Sequence, residues 1–302
     1  MKFKAFALSL LAPALVASAA IPTSQPGQPY KSVRYQYEHL DQPVPQKIYA
    51  AFIDLTDPKV QVRVSRGGDD PDGAGKWETT LMQPTKVADR EGFDVVINGD
   101  FFTHLNGKDA EGAAALKQFG GGTPAMVEGP AVTDGKLWGP ADKPQAVFMI
   151  DGRGKPVVRE LKDPPADAKQ VIAGRHVLVK DGQNVAPPPE QSPFAKGPHP
   201  RTAVGIRDDG KTLVLVVIDG RQKGQAVGMS LKDEADVMLK FGCTDAINLD
   251  GGGSSVLAIR DPQTGKMQIM NHPSDGRERA VGNVLGVSVT GRKPAATRPA
   301  RD

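Results

Sequence analysis

A single cysteine, Cys243, stands in a chain of 302 residues. No intramolecular disulfide can form, and zinc modules that need two or more thiolates together are excluded. Histidine is scarce as well. The five at positions 39, 104, 176, 199 and 272 make no H-x-H or H-x-x-x-H pair, which argues against a histidine-based metal hydrolase. Aromatic residues amount to 5%, with two Trp and four Tyr, too few for the aromatic platforms of a dedicated glycan-binding module. Neither sign of charge dominates, since 38 Lys and Arg face 35 Asp and Glu, so no electrostatic case for nucleic acid as a partner arises. After the first twenty residues no apolar run approaches the ~20 residues of a membrane span.

What is present is an ordinary globular composition, 39% hydrophobic and 24% charged, enough to build a sizeable core. The chain opens with Lys2 and Lys4, an apolar stretch over residues 6–16, and Ala17-Ser18-Ala19 in an A-x-A pattern. This reads as a secretory signal peptide over residues 1–19, with a secreted or periplasmic mature protein that has no membrane span. Loss of the two lysines lowers the formal charge from +3 to +1. Residues 20–46, rich in proline and polar groups, are expected to form an extended N-terminal segment. A single catalytic domain is expected over 47–290 and a polar tail over 291–302. The 34 glycines and 26 prolines call for many turns, with long surface loops at 67–75 and 184–200.

The informative half begins at Pro200. Residues 201–206 (RTAVGI) and 211–219 (KTLVLVVID) flank an Asp-Asp-Gly turn and predict a hairpin that brings Arg201 beside Val217 and Asp219. Residues 230–241 predict a helix, with Ser230 as N-cap, an acid three residues on, Leu231, Ala235, Met238 and Leu239 on one face, and Gly242 as the stop. Cys243, just after it, is expected as a small buried hydrophobe. Residues 244–250 (TDAINLD) alternate, so Ile247 and Leu249 face one way and Ala246, Asn248 and Asp250 the other. Strand, helix and strand have the length of a βαβ unit, which would open Asp219 and Asp250 onto one rim. Residues 94–102 (DVVINGDFF) end in the same style, with Asn98 and Gly99 after a short apolar run. Gly251, Gly252 and Gly253 then expose backbone N–H groups without Cβ obstruction, a composition suited to an anion nest with Ser254. Residues 256–260 and 266–271 predict a hairpin returning Asn271 and His272 beside this run, and Arg279 and Asn283 precede an apolar strand.

Five blocks, INGDFF (97–102), PRTAVGI (200–206), IDGRQKG (218–224), AINLDGGGSS (246–255) and ERAVGN (278–283), together resemble the phosphodiester glycosidases related to the lysosomal uncovering enzyme, which removes N-acetylglucosamine from a phosphodiester on mannose. At Asp100 the first block departs from the small residue the family often carries, and no role is assigned there. The resemblance implies hydrolysis of a sugar joined through its anomeric carbon to a phosphodiester, releasing free sugar and a phosphate monoester. That chemistry passes through an oxocarbenium-like state and needs a carboxylate near the anomeric carbon, activation of water and stabilisation of the leaving phosphate. Asp250 is expected as nucleophile or base and Asp219 as its partner. Arg201 and Arg221, with the nest at Gly251, Gly252, Gly253 and Ser254, are expected to hold the phosphate. Asn98, Gly99, Asn248, Arg279 and Asn283 complete the expected substrate contacts. No cofactor is required, although a Ca²⁺ or Mg²⁺ site around Asp250 would leave no sequence signature. Two alternatives are a metal-dependent phosphodiesterase cleaving the P–O bond and a non-catalytic envelope glycan-binding protein. The expected fold is α+β (mixed α/β), a central, largely antiparallel sheet with a few helices.

Overall fold

The computed structural model of the chain describes residues 28–105 and 119–291. The expected signal peptide, residues 20–27 and the tail beyond Gly291 lie outside them. Strand accounts for 41% and helix for 11%, so the protein is richer in β-structure than an α+β reading implies. Every strand pairing among the described residues is antiparallel.

Two sheets face each other. The larger runs in the order Val33–Leu40, Gln46–Asp54, Thr212–Ile218, Arg201–Arg207, Asp245–Asn248, Gln170–Lys180, Gln145–Ile150 and Pro156–Leu161, with shorter strands at its margin. The smaller runs Met267–Ile269, Leu257–Arg260, Val95–Asn98, Asn283–Ser288 and Gln61–Arg66. Between them lies the main core, in which Tyr49, Ala51, Ile53, Leu213 and Leu215 from one sheet meet Val95, Ile97, Leu257 and Leu285 from the other. Alternate residues of the same strands face outward. Ile48, Ala50, Phe52, Val214, Val216 and Ile218 pack there under the helix Leu231–Lys240, which contributes Leu231, Ala235 and Met238. The helix Pro84–Glu91 covers the smaller sheet in the same way, through Val87 and Ala88 on Val96, Ala258 and Val284. Burial on both faces explains why these strands read as near-continuous apolar runs rather than clean alternation. Residues 33–40, from the segment expected to be merely extended, pair with Gln46–Asp54 along their whole length and bury Tyr35. No helix among the described residues is long and apolar enough to cross a membrane.

The helix Leu231–Lys240 carries the capping box its sequence predicts. The Ser230 hydroxyl accepts the Asp233 N–H at 3.2 Å and the Asp233 carboxylate accepts the Ser230 N–H. Gly242 turns the chain at φ 82°, and Cys243 is buried, its thiol pushed up to about 12 by that burial. Ser230→Ala is expected to cost about 1 kcal/mol and lower Tm by about 2–4 °C, as read by thermal unfolding followed by circular dichroism.

The strand–helix–strand segment departs from a simple βαβ unit. Arg201–Arg207 lies between Thr212–Ile218 and Asp245–Asn248 and is antiparallel to both, so the two flanking strands run the same way without pairing. The reason is local: the preceding hairpin has already filled the neighbouring position. Its register sets Arg201 opposite Ile218, and Asp208 and Asp209 both take φ 55° in the turn. The ends of all three strands still reach one edge, where Arg201, Asp219 and Asp250 emerge.

Candidate active site

At that edge the two sheets are stitched together by Asn98. Its side-chain amide donates to the Asp250 carbonyl at 2.6 Å, while its Oδ1 accepts from the Thr202 hydroxyl at 2.9 Å and the Val256 N–H at 3.1 Å. The Asp250 N–H in turn donates to the Gly99 carbonyl at 2.9 Å. Gly99 is required by close approach, since a Cβ there would stand 2.2 Å from Asn283 Oδ1. That same oxygen accepts the Asp100 N–H at 2.7 Å. Asn248 donates to the Arg175 carbonyl at 3.2 Å. Asn98, Asn248 and Asn283 are each fully buried and do not reach the cavity described below. Expected as substrate contacts, they instead hold the strand ends in register here and do not line the cavity.

The cavity, of about 270 Å³, opens beside the Asp250 strand end. Asp250, Arg201, Arg221, Arg279 and Gly251 to Gly253 line it, together with Glu128, Arg175, His199, Pro200, Phe101, Phe102, Phe119 and Phe194. Burial pushes the Asp250 carboxyl up to about 6. The shift is opposed by the Ser254 hydroxyl, which lies near it without making a hydrogen bond, by the charge of Arg279, and by the Gly251 N–H donated at 2.9 Å. Behind the wall, burial drives Asp100 up to about 8; the Gly129 N–H opposes this and the charges of Glu128 and Asp250 add to it.

The glycine run is a single 3₁₀ turn over Gly252–Ser254, and not an open nest. The N–H groups of Gly251, Gly252, Ser254 and Ser255 already donate to Asp250 Oδ1 and to the carbonyls of Pro200, Gly251 and Gly252. What the three glycines supply is room. A Cβ on Gly251 would meet the Pro200 carbonyl at 2.6 Å, one on Gly252 the Arg221 guanidinium at 3.3 Å, and one on Gly253 Arg279 Nη2 at 2.1 Å. Two guanidiniums thus lie directly against backbone. Arg279 is held from the other side by Asp275, with Nε and Nη2 each 2.8 Å from Oδ2, and stacks 4.0 Å over the Phe119 ring. Arg221 sits at φ 59°, a left-handed conformation that a non-glycine residue adopts at a cost, and its Nη2 lies 3.4 Å from His199 Nδ1.

Asp219 shares the rim but not the cavity. Its side chain is enclosed, accepting from the Tyr49 hydroxyl at 3.0 Å, Asn271 Nδ2 at 3.1 Å and the His272 N–H at 3.1 Å. Burial raises its carboxyl, against these same three donors. Asn271 also donates to the Ser255 carbonyl, so Asp219 ties the chain just before Arg221 to the chain just after the glycine run. Asp219→Ala strands these donors in the interior and is expected to destabilise the fold by about 3 kcal/mol, measured by urea denaturation. Arg201, next to Asp219 in register, makes no hydrogen bond with it. Its guanidinium donates to the carbonyls of Met229, Phe194 and Gly197 at 2.8–2.9 Å and stacks 4.8 Å from the Phe194 ring. Residues 184–200 are thereby drawn in, so that the expected surface loop supplies Phe194 and His199 to the cavity.

Glu128 and Arg175 carry no assignment in the sequence, yet they form the best-defined ion pair of the cavity. Arg175 Nη2 lies 2.7 Å from both carboxylate oxygens, its Nε 3.1 Å from one of them, and its guanidinium 4.1 Å over the Phe101 ring. One signal pointed at Arg175: a charged residue interrupting the apolar run 171–179. There the strand breaks register, with His176 at φ 68°, and the irregularity re-aims the side chain. Among the described residues, no three of His, Cys, Asp and Glu are placed to hold a metal ion.

A 90-residue stretch is 44% identical to the SPbeta prophage-derived uncharacterized protein YomE of Bacillus subtilis (strain 168), covering 30% of this chain but only 13% of that protein's length. Two solved structures share the fold. The catalytic domain of zebrafish N-acetylglucosamine-1-phosphodiester alpha-N-acetylglucosaminidase, auto-inhibited by its pro-peptide, superposes with a TM-score of 0.63 at 20% identity, over 88% of this chain and 84% of that one. A hypothetical protein from Synechocystis does so at 0.55 and 14%, over 85% and 62%. Residues 91–288, which contain every residue that lines the cavity, match the phosphodiester glycosidase family, and the chain belongs to that family.

Proposed function

We propose that this protein hydrolyses the bond between the anomeric carbon of a sugar and a phosphodiester oxygen, releasing free sugar and a phosphate monoester. The observation that supports this most is the meeting, in one small cavity, of two carboxylates, Asp250 and Glu128, with the guanidiniums of Arg221 and Arg279 seated against the glycine run. The leaving phosphate needs cationic stabilisation more than a strong acid, and the arginines supply it. As the C1–O bond breaks, its electrons pass to the phosphate oxygen, and the oxocarbenium-like centre is met by Asp250 or by a water that Asp250 deprotonates. Glu128, fixed by Arg175, is the second carboxylate in place of Asp219. Phe101, Phe119 and Phe194 offer apolar surface to a sugar ring. The similarity to the zebrafish enzyme supports the type of bond and leaves the sugar to be identified.

Incubation with a panel of sugar-1-phosphodiesters, followed by phosphorus and proton NMR, tests this directly. Free sugar and phosphate monoester in equal amounts are expected, with turnover unchanged by chelator. Binding without turnover across the panel would sink the proposal. We also propose export, with cleavage after Ala19. N-terminal sequencing of protein from the periplasm or medium is expected to begin at Ala20, and recovery of the intact leader in the cytosol would contradict it.

A further inference from the structure

Behind the cavity wall lies a carboxyl group that the proposed reaction does not use. Glu234, in the first turn of the helix Leu231–Lys240, is fully buried, and neither carboxylate oxygen has a hydrogen-bond partner among the described residues. A buried ionised carboxylate without donors is costly, so such a group takes up a proton instead. Its neighbour is Arg201, 1% exposed, whose Nε and Nη2 are committed to three backbone carbonyls. Carbonyl dipoles satisfy these donors without cancelling their charge.

We infer that Glu234 is held neutral beside Arg201, leaving the full charge of that guanidinium to act on an anionic group in the cavity, and that ionisation of Glu234 weakens phosphodiester binding. Glu234 therefore tunes the affinity of the site without touching the ligand. The inference rests on the proposed reading only in taking a phosphodiester as the anion. Arg201 is the charge that bears on Glu234 across the elements packed there, while Arg201 itself feels Glu234, Arg221 and Asp233. Burial pushes Glu234 up to about 8, against the charge of Arg201, so the change falls at mildly alkaline pH.

The test uses the full-length protein and dimethyl phosphate, a diester anion that does not itself titrate in this range. Isothermal calorimetry at pH 8.5, in buffers of different ionisation enthalpy, reads the protons taken up on binding. Wild type is expected to take up a fraction of a proton more than Glu234→Gln, and its Kd to rise about fivefold more than the variant's between pH 7 and 9.5, the effect of one charge felt at an effective dielectric of about 20. Asp100 and Asp250 titrate in both proteins and drop out of the difference. Superimposable wild-type and variant profiles overturn the inference. So does wild type binding dimethyl phosphate with no proton uptake, a result that needs no folded variant. Glu234→Leu serves if the glutamine variant fails to fold. Dimethyl phosphate binding with more proton uptake in wild type than in Glu234→Gln, but no hydrolysis of the sugar panel, would defeat the proposed reaction and leave this inference standing.

Discussion

Asp250→Asn is expected to lower kcat by about 10³-fold while leaving the fold intact. The amide keeps the size of the carboxylate and can still accept the Gly251 N–H, so the turn that follows is preserved. What disappears is the negative charge at the cavity wall, whether it acts on water or on the anomeric carbon. In the proposed reaction the same group is expected to set the acid limb of the pH profile. Burial raises Asp250 to about 6, above the ordinary aspartate range, and only the ionised form serves as base or nucleophile. Therefore kcat/KM is expected to climb as pH rises through about 6 and to level off near pH 7, below the range in which Glu234 ionises. Stability moves the other way. A carboxyl whose folded pKa is raised makes the native state less favourable once it ionises, so at pH 7 the asparagine variant is expected to unfold at an equal or higher Tm. Steady-state kinetics over pH 4.5–8 and thermal scans check both halves. Retained activity in a folded variant would remove Asp250 from the chemistry.

Gly253→Ala is expected to cost about 10²-fold in kcat/KM through the position of Arg279. A Cβ at this residue would lie 2.1 Å from Arg279 Nη2 and 2.4 Å from Asp275 Oδ2, so the guanidinium must leave either its carboxylate or the Phe119 ring. Both obstructing atoms are side-chain ends, which makes the shift affordable to the fold at about 1–3 kcal/mol. In the proposed reaction it is the contact of Arg279 with phosphate that cannot absorb it, because a charge-assisted contact weakens steeply once its donor is displaced. A rise in KM larger than the fall in kcat is the expected pattern, since in the proposed reaction this charge holds the diester before and during bond breaking. Gly121→Ala, where the nearest atoms lie at 3.6 Å, is the control and is expected to behave as wild type.

These expectations separate what was legible in the sequence from what was not. The helix Leu231–Lys240 could be read from Ser230, Asp233, Gly242 and the spacing of its apolar face, because caps and periodicity are local. The rim holding Arg201, Asp219 and Asp250 followed from hairpin register and chain direction. The side of the rim each residue serves did not. A polar residue before glycine at a strand end carries the same signal whether it enters the cavity, as Asp250 does, or is turned inward, as Asn98 and Asp219 are. Glu128 and Arg175 are illegible for a different reason. Their pairing joins the end of Pro124–Val127 to an irregular position in Gln170–Lys180, and no local rule links positions 47 residues apart. The largely antiparallel pairing, by contrast, was legible, since the hairpin of Arg201–Arg207 with Thr212–Ile218 is a local feature that fills the place a parallel neighbour would take.

The site's central chemistry can be read from the fate of a single oxygen atom. Hydrolysis of a turned-over sugar-1-phosphodiester in ¹⁸O-labelled water, with and without chelator, distinguishes the two bonds that water can break. Label in the anomeric hydroxyl of the free sugar, unchanged by chelator, is the predicted result and matches attack at carbon near Asp250. Label in the phosphate monoester would mean attack at phosphorus, and would contradict the assignment of Asp250 and Glu128 as the carboxylates of a glycosidase.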